Sequence, residues 1–292
     1  MHKSGFITII GNPNVGKSTF LNNIIGEKIS IISDKAQTTR HRLLGILNTD
    51  DSQLIFTDTP GIINTKYELQ NAMMSFVKNS LEDSDLIIYM VGNDKKDILN
   101  ESIQHLIKTS KIKLFLVVNK VDLMKQEEVK VLLDYWNKKY NPFKTIPISA
   151  LNKYNLEKLL NELIKALPKS PPYFPKDTLT DRSLRFIVSE IIREKIFKRY
   201  SKEIPYSSEV VVEEYKEKEN LVHISCIIYV ERESQKGIMI GQNGKALKSL
   251  GISSRKSIQN FIKKKVFLTF NVKVLKDWRK KKQQLKKLGY IN

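Results

Sequence analysis

The first residues that could do chemistry form a glycine-bearing loop near the start of the chain. In order they are Gly11, Asn12, Pro13, Asn14, Val15, Gly16, Lys17, Ser18 and Thr19. The first eight match G-x-x-x-x-G-K-[ST] and lie between an apolar run and a predicted helix. Glycine lets backbone N–H groups converge on phosphate oxygens, and the helix start adds the positive end of its dipole. We therefore predict a nucleotide phosphate site in which Lys17 reaches the β- and γ-phosphates and the Ser18 hydroxyl ligates Mg²⁺.

A second short sequence follows the apolar strand predicted at residues 53–57, and its four residues are Asp58, Thr59, Pro60 and Gly61. By itself D-x-x-G is a common turn, but its place at a strand end after the phosphate loop favours a functional role. We expect Asp58 to hold Mg²⁺ through water and the Gly61 N–H to contact the γ-phosphate. Ile62 comes next, and its side chain has no group with which to orient an attacking water. Slow intrinsic hydrolysis is therefore expected.

A third sequence predicts which base is bound. Four residues follow the apolar strand at 113–118, and they are Asn119, Lys120, Val121 and Asp122. The Asp122 carboxylate can accept hydrogen bonds from guanine N1–H and the N2 amino group, whereas adenine would leave that carboxylate unpaired. We expect Asn119 to brace the loop and Lys120 to lay its stem over the base. After the last strand, a backbone N–H for the guanine carbonyl is expected from the triplet Ser149, Ala150 and Leu151.

The candidate switch residue lies in the sequence QTTRHR, residues 37–42, between the first helix and the second strand. One threonine should complete the Mg²⁺ shell only while the γ-phosphate is present; we prefer Thr39, with Thr38 as the alternative. The expected catalytic set is therefore Lys17, Thr39, Asp58 and Gly61.

A T-T-R sequence with an apolar residue after D-x-x-G resembles the translation-factor-type GTPases. In several relatives an asparagine at the position of Asn14 helps to hold a monovalent cation, which gives the hypothesis of a bound K⁺.

A different chemistry is predicted near the C-terminus, where a G-x-x-G sequence interrupts a helical stretch. The loop and its neighbours are Ile240, Gly241, Gln242, Asn243, Gly244 and Lys245, and further basic residues follow at Lys248, Arg255 and Lys256. Two glycines allow close approach of a sugar–phosphate backbone, and the helix start and lysine attract phosphate. A bare G-x-x-G is also compatible with an ordinary turn between helices. The element order around it, αββααβ, favours a type II KH module that binds RNA.

These sites need two frameworks to position them. Apolar strands at 6–10, 42–48, 53–57, 86–91, 113–118 and 145–149 alternate with amphipathic segments such as 68–81 and 127–139. That alternation predicts an α/β fold, a P-loop GTPase domain with a mostly parallel sheet and helices on both faces. Four prolines between 168 and 175 then break the pattern. We predict a GTP-binding domain at 1–170, a Pro-rich linker at 171–181, and an α+β KH domain with a basic C-terminal tail at 182–292.

The positive charge is concentrated in the last quarter of the chain. Residues 220–292 hold 17 basic and 3 acidic side chains, a net charge of about +14, whereas residues 171–219 are neutral overall. Such a field indicates a polyanionic partner, with nucleic acid first and an anionic membrane surface second. No run of eighteen apolar residues and no signal-peptide pattern is present, and the single cysteine, Cys226, fits a reducing cytosol.

With both site sequences in view, the chain resembles the Era GTPase family over nearly its whole length. The resemblance rests on GNPNVGKSTFLN, KAQTTRHR, DTPG, NKVD and the late run IMIGQNGKALKSLGISSRK, which ends in KKLGY. It implies binding of GTP or GDP with Mg²⁺, a monomer, and a KH module on the 3′ end of 16S rRNA in assembly of the small (30S) ribosomal subunit. It also implies a cytoplasmic location with loose attachment to the inner membrane face. Asn12 departs from the family, where arginine is frequent, but this position should face away from the phosphates.

Two other functions are compatible with parts of this sequence. An RNA-binding structural protein could retain a vestigial nucleotide site, although the intact Lys17, Ser18, Asp58 and Asp122 argue against that. A membrane-surface GTPase could use its basic tail, residues 278–292, to bind anionic lipid.

Overall fold

The computed structural model describes residues 1–35, 37–97, 99 and 101–291. Ala36, in the sequence KAQTTRHR that carries the family resemblance, and Asn292, at the end of the predicted C-terminal domain, lie outside the described residues. The chain forms two compact units. The first comprises Met1–Ser30, Thr39–Thr65 and Met73–Asp181, and the second comprises Ile31–Thr38, Lys66–Ala72 and the chain from Arg182 onward. Part of the predicted switch sequence thus groups with the second unit.

The first unit is built on a six-stranded sheet with the order β2-β3-β1-β4-β5-β6. Its strands are β1 (Lys3–Gly11), β2 (Leu43–Asn48), β3 (Ser52–Asp58), β4 (Leu86–Val91), β5 (Lys113–Val118) and β6 (Lys144–Pro147). All pairings are parallel except β2 with β3. The central strands are continuous apolar runs, and β4 (LIIYMV) is buried along its whole length, as a parallel sheet covered on both faces requires. The predicted α/β fold with a mostly parallel sheet is confirmed.

Helices connect these strands and cover the sheet. They are α1 (Lys17–Ile25), α2 (Glu68–Glu82), α3 (Glu101–Thr109), α4 (Gln126–Tyr140) and α5 (Leu156–Ala166). Within this unit α2, α3 and α4 bury Val77, Ile103 and Trp136 against the β4 and β5 side chains. The core therefore lies under the phosphate loop and fixes the strand ends from which the candidate site residues project.

Residues 171–181 lie along the edge strand β2. The Ile46 N–H donates to the Leu179 carbonyl at 2.9 Å, and the Leu44 N–H donates to Asp181 Oδ1 at 3.0 Å. Nearer the prolines, the Gln53 amide oxygen accepts from the Tyr173 and Phe174 N–H groups at 2.8 and 3.0 Å. An edge strand offers unpaired backbone groups, so this segment is held to the first unit by hydrogen bonds despite its proline content.

The second unit has a three-stranded sheet with the order β7-β8-β9, antiparallel between β7 and β8 and parallel between β8 and β9. Its elements are α6 (Leu184–Arg199), α7 (Ile204–Ser207), β7 (Glu209–Glu217), β8 (Leu221–Val230), α8 (Glu233–Ile240), α9 (Lys245–Ile262), β9 (Lys265–Val274) and α10 (Lys282–Lys287). The αββααβ order is confirmed, and the short helices α7 and α10 are added to it.

The basic C-terminal segment is part of the second unit's core. Trp278 is fully buried, donates from Nε1 to the Ser207 carbonyl at 2.9 Å and stacks on Tyr290. Leu285 on α10 is also fully buried, and the Tyr290 hydroxyl donates to Glu209 Oε2 at 2.5 Å. Removing residues 278–292 would therefore expose this core. Among the described residues, no helix is long and apolar enough to cross a membrane.

Candidate nucleotide site and nucleic-acid loop

The phosphate loop connects β1 to α1, and Gly16 lies at the N-terminus of that helix with φ 103°. A Cβ built on Gly16 would lie 2.3 Å from Asn119 Nδ2. A larger residue would therefore displace the asparagine side chain that crosses this position. Glycine is therefore required at position 16 by its positive φ and by its close contact with Asn119. Asn119 opens the loop of residues 119–122 that is predicted to bind guanine, which we call the guanine loop.

Lys17 is buried beneath the loop. Its Nζ donates to the Gly11 carbonyl at 3.1 Å and to the Asn12 carbonyl at 2.9 Å. Burial lowers the pKa of Lys17 to about 8, although the nearby Asp58 charge opposes the shift. A buried ammonium group that is hydrogen-bonded to carbonyl oxygens is suited to bind phosphate, since a phosphate anion would favour the charged form that burial disfavours.

Three oxygen-bearing side chains predicted to serve Mg²⁺ lie close together. The Ser18 hydroxyl is 3.2 Å from the Thr39 hydroxyl and donates to Asp58 Oδ2 at 2.9 Å. Asp58 is fully buried, and its Oδ1 has no hydrogen-bond partner in the part of the chain that the structure describes. Burial raises the pKa of Asp58, while Lys17 and two serine hydroxyls act in the opposite direction. Hydroxyl and carboxylate oxygens suit Mg²⁺, and an unpaired buried carboxylate oxygen fits a metal-bound water.

The two switch threonines differ in what they contact. Thr38 Oγ1 donates to the Lys35 carbonyl at 2.6 Å, and the Thr38 carbonyl accepts from the buried Arg193 guanidinium at 3.0 Å. Both of these contacts lie within the second unit. Thr39 Oγ1 adjoins Ser18. The geometry therefore places the Thr39 hydroxyl, and not that of Thr38, beside the predicted metal ligands.

The D-x-x-G residues are anchored to β1. Thr59 Oγ1 donates to the Ile9 carbonyl at 2.8 Å, and the Ile62 N–H lies 3.4 Å from the Gly11 carbonyl. Pro60 is buried, whereas Gly61 is half-buried against Pro13 of the phosphate loop. The Ile62 side chain is only 2% exposed and packs in the core with Val77 and Leu81. It is therefore turned away from solvent as well as lacking a polar group.

The guanine loop is braced by Asn119. Its Nδ2 donates to the Val15 carbonyl at 2.7 Å, and its Oδ1 accepts from the Ala150 N–H at 2.8 Å. Lys120 has the left-handed φ of 67°, and Asp122 is exposed at the rim of a cavity of about 670 Å³. Val121, Ser149 and Tyr154 also line that cavity. Since the Ala150 N–H already serves Asn119, it braces the loop in this conformation; Leu151, at the end of the triplet, is exposed.

The G-x-x-G loop ends α8 and begins α9. Gly241 has φ 72° and ψ 173°, and a Cβ there would lie 2.6 Å from the Ala246 Cβ. Gly244 has φ 74° with open space where a Cβ would lie, and Asn243 between them also has positive φ. Gln242 and Asn243 at the tip are exposed, and Ile240 is half-buried. The basic residues predicted to meet phosphate are all exposed: Lys245, Lys248, Arg255 and Lys256.

The comparisons with known proteins agree with both units. A family model described as a 50S ribosome-binding GTPase matches residues 6–120, and a KH domain model matches residues 203–279. A solved variant of Era from Aquifex aeolicus, bound to GDP·AlF4⁻, is 39% identical, with 99% of this chain and 100% of that chain covered and a TM-score of 0.95. The chain belongs to the Era family. A second Era structure, in complex with MgGDPNP and nucleotides 1506–1542 of 16S ribosomal RNA, is 38% identical over both full chains, with a TM-score of 0.95.

Sequence patterns missed several contacts that shape the nucleotide site of this Era-family chain. The Asn12 side chain donates from Nδ2 to the Lys96 carbonyl at 2.8 Å. Asn23 on α1 donates to the Ala150 carbonyl at 2.6 Å and so holds the guanine loop from below. Neither residue type nor spacing identifies such partners, because each contact joins segments that are far apart in the sequence.

Near the G-x-x-G loop, sequence reasoning also missed Tyr200, whose hydroxyl donates to the Met239 carbonyl at 2.8 Å in the last turn of α8. Ile238 on α8 and Ile252 on α9 are each 53% exposed. Apolar residues at these helical positions were detectable in the sequence, but their exposure depends on how α8 and α9 pack together.

Proposed function

We propose that this Era-family protein is a GTP-hydrolysing switch that binds the 3′ end of 16S rRNA and assists assembly of the small ribosomal subunit. The observation that supports the nucleotide function best is the convergence of Ser18, Thr39 and Asp58 beside a phosphate loop that Asn119 ties to the guanine loop. The RNA function is supported by the G-x-x-G loop with its exposed basic neighbours, and by the ribosomal RNA bound in the related Era complex.

In the proposed reaction, the side chains of this chain position GTP and balance its charge. Lys17 binds the β- and γ-phosphates, the Gly61 N–H contacts the γ-phosphate, and Asp122 pairs with the guanine edge. Ser18, Thr39 and Asp58 would hold Mg²⁺, which neutralises charge on the phosphate oxygens. Thr39 would contact Mg²⁺ only while the γ-phosphate is present, so hydrolysis would release the switch loop.

The proposed turnover is slow because the residue after D-x-x-G cannot orient water. The Ile62 side chain packs in the core and carries no polar atom. Asn14, exposed on the phosphate loop with a positive φ, is the residue proposed to help hold a bound K⁺. Comparing GTP turnover in K⁺ and Na⁺ buffers at equal ionic strength tests this; equal rates would rule out the K⁺ role.

Coupling between nucleotide and RNA is proposed to involve the switch sequence. Within the second unit, Lys35 Nζ donates to the carbonyls of Phe197 and Tyr200 at 2.5 Å each, at the C-terminal end of α6. Arg193 on the same helix holds the Thr38 carbonyl. If GTP orders the switch sequence, these contacts with α6 change. RNA binding must then change the affinity for nucleotide by the same factor by which nucleotide changes the affinity for RNA.

The decisive experiment crosslinks the full chain to cellular RNA with GDP, with GDPNP and with no nucleotide, and maps the contact sites. We expect enrichment at the 3′ end of 16S rRNA that is strongest with GDPNP. Scattered contacts would reject the RNA assignment. Contacts at that end that do not change with nucleotide would reject the switch, leaving an RNA-binding protein with a vestigial site. In that case Lys17→Ala would leave nucleotide binding unchanged.

We also propose that the protein acts in the cytoplasm, with domain boundaries at 1–170, 171–181 and 182–292. Limited proteolysis followed by mass spectrometry tests those boundaries.

Attachment to the inner membrane rests only on the basic surface of residues 220–292. Deleting the tail is a poor test because Trp278, Leu285 and Tyr290 are buried. Replacing the exposed Lys282, Lys286 and Lys287 with glutamine, and measuring binding to anionic vesicles, preserves the fold and tests the lipid function directly.

A further inference from the structure

Ser30 contacts the metal-site carboxylate although no nucleotide-binding sequence pattern includes it. It lies in the stretch after α1, is buried, and donates from Oγ to Asp58 Oδ2 at 2.7 Å. Ser18 donates to that same oxygen at 2.9 Å. Two hydroxyl donors therefore occupy Oδ2, and Oδ1 remains without a protein partner among the described residues.

Asn22 on α1 holds the backbone that presents Ser30. Its Oδ1 accepts from the Ile29 N–H at 3.0 Å and from the Ser30 N–H at 2.9 Å. Its Nδ2 donates to the Ser30 carbonyl at 2.7 Å. The asparagine amide thus uses both ends on one short segment, and Asn22 is itself buried. The Ser30 hydroxyl is held in place from the same helix that begins with Lys17 and Ser18.

We propose that Ser30, held by Asn22, is a positioning residue for Mg²⁺: it fixes the Asp58 carboxylate so that Oδ1 is presented to a metal-bound water. A buried carboxylate with one donor fewer is free to rotate away from this orientation. That rotation weakens the grip on the metal without touching the base or the phosphate loop. This inference rests on the proposed nucleotide function, because Mg²⁺ binds here together with the nucleotide.

The test measures how fast a fluorescent GDP leaves the full-length protein as free Mg²⁺ is varied. For Ser30→Ala we expect the Mg²⁺ concentration that gives half-maximal retention to rise about tenfold, since hydrogen bonds to charged groups are among the stronger ones. The rate in excess EDTA should stay within about twofold of the wild-type rate, because no contact with GDP itself is removed. Ser30→Thr keeps the hydroxyl and should restore the wild-type Mg²⁺ requirement.

Ser80→Ala is the matched control. Ser80 is a buried serine of the same unit, and its hydroxyl donates to the Phe76 carbonyl of its own helix, away from Asp58. It should lower thermal stability slightly and leave the Mg²⁺ requirement unchanged. If Ser30→Ala does not fold, Ser30→Cys keeps the side-chain volume with a weak donor and is expected to show a raised Mg²⁺ requirement.

Distinct results separate this inference from the proposed function. A wild-type protein that binds no GDP at any Mg²⁺ concentration rejects both. A wild-type protein that needs Mg²⁺, with Ser30→Ala needing no more of it, rejects the role of Ser30 alone. If Ser30→Ala releases GDP faster than the wild type by the same factor in excess Mg²⁺ and in EDTA, Ser30 only supports the fold. The same conclusion follows if Ser30→Thr has the same Mg²⁺ requirement as Ser30→Ala.

Discussion

Asn119 Nδ2 donates to the Val15 carbonyl at 2.7 Å, so the residue that opens the guanine sequence is hydrogen-bonded to the phosphate loop 104 positions earlier. The same amide accepts from the Ala150 N–H. Three loops from the ends of β1, β5 and β6 thus meet on one buried side chain, because the carboxyl ends of parallel strands share an edge of the sheet.

Asn119→Ala should weaken GDP binding at least about tenfold, since it leaves the Val15 carbonyl and the Ala150 N–H without partners. Isothermal titration with GDP measures the effect. Asn23→Ala is the control, because it removes a single hydrogen bond to the Ala150 carbonyl and should cost less. A larger loss in the control would show that the α1 contact, and not Asn119, holds the guanine loop.

Asp122→Asn should change base preference and leave phosphate binding intact. The asparagine amide presents a donor where the carboxylate accepts, so guanine loses its pairing and xanthine, which has a carbonyl at the 2-position, gains one. We expect GDP affinity to fall by about a hundredfold or more and xanthosine diphosphate to bind more tightly than GDP. Competition between the two nucleotides decides it, and a variant that still prefers GDP would overturn our account of base recognition.

Replacing each switch threonine separately should distinguish their roles. Thr39→Ala removes the hydroxyl beside Ser18 and is expected to lower single-turnover GTP hydrolysis by about tenfold to a hundredfold. Thr38→Ala removes only a hydrogen bond to the Lys35 carbonyl and should change hydrolysis by less than about threefold. The reverse order would assign the metal contact to Thr38.

The two loop glycines should differ in their tolerance of alanine. Gly241→Ala meets the Ala246 Cβ and is expected to destabilise the second unit by about 2–3 kcal/mol. Gly244→Ala meets nothing within 4 Å and carries only the cost of a positive φ, about 1 kcal/mol. Urea unfolding of each variant measures both values. Equal losses would mean that Ala246 moves aside and that backbone conformation alone sets the cost.

Cys226 should be inert in the folded protein. Burial in β8 raises the pKa of its thiol to about 12, above the usual value of 9. This favours the folded state below about pH 9; the contribution fades towards pH 12, because the unfolded chain ionises first. At pH 8 a thiol reagent should label the folded protein on the order of a thousandfold more slowly than the urea-unfolded chain. Rapid labelling of folded protein would show that β8 opens locally.

The phosphate-binding and guanine-binding sequences could be predicted from the order of residues, because few residue types and backbone conformations can bind a phosphate or pair with guanine. A helix that follows a glycine turn offers unpaired backbone N–H groups to a phosphate, and a carboxylate can accept from guanine N1–H and N2. The alternation of apolar runs with amphipathic segments also predicted the sheet, because parallel strands that are buried on both faces must be almost entirely apolar.

Other features depended on side chains that are distant in sequence. Nothing in the order of residues indicates that Asn22 holds Ser30 or that Ser30 reaches Asp58. Nor does it show that the basic tail is anchored in the second unit through the buried Trp278.

The chain by itself determined the two folds, the guanine and phosphate sequences, and the G-x-x-G loop, because each depends on local backbone and on the chemistry of neighbouring residues. The tertiary structure placed the Thr39 hydroxyl beside Ser18, buried Ile62, and gave Asp58 its second donor. Those outcomes depend on which side chains meet when β1, β3 and α1 pack, and packing joins residues at distances in sequence that no local pattern records.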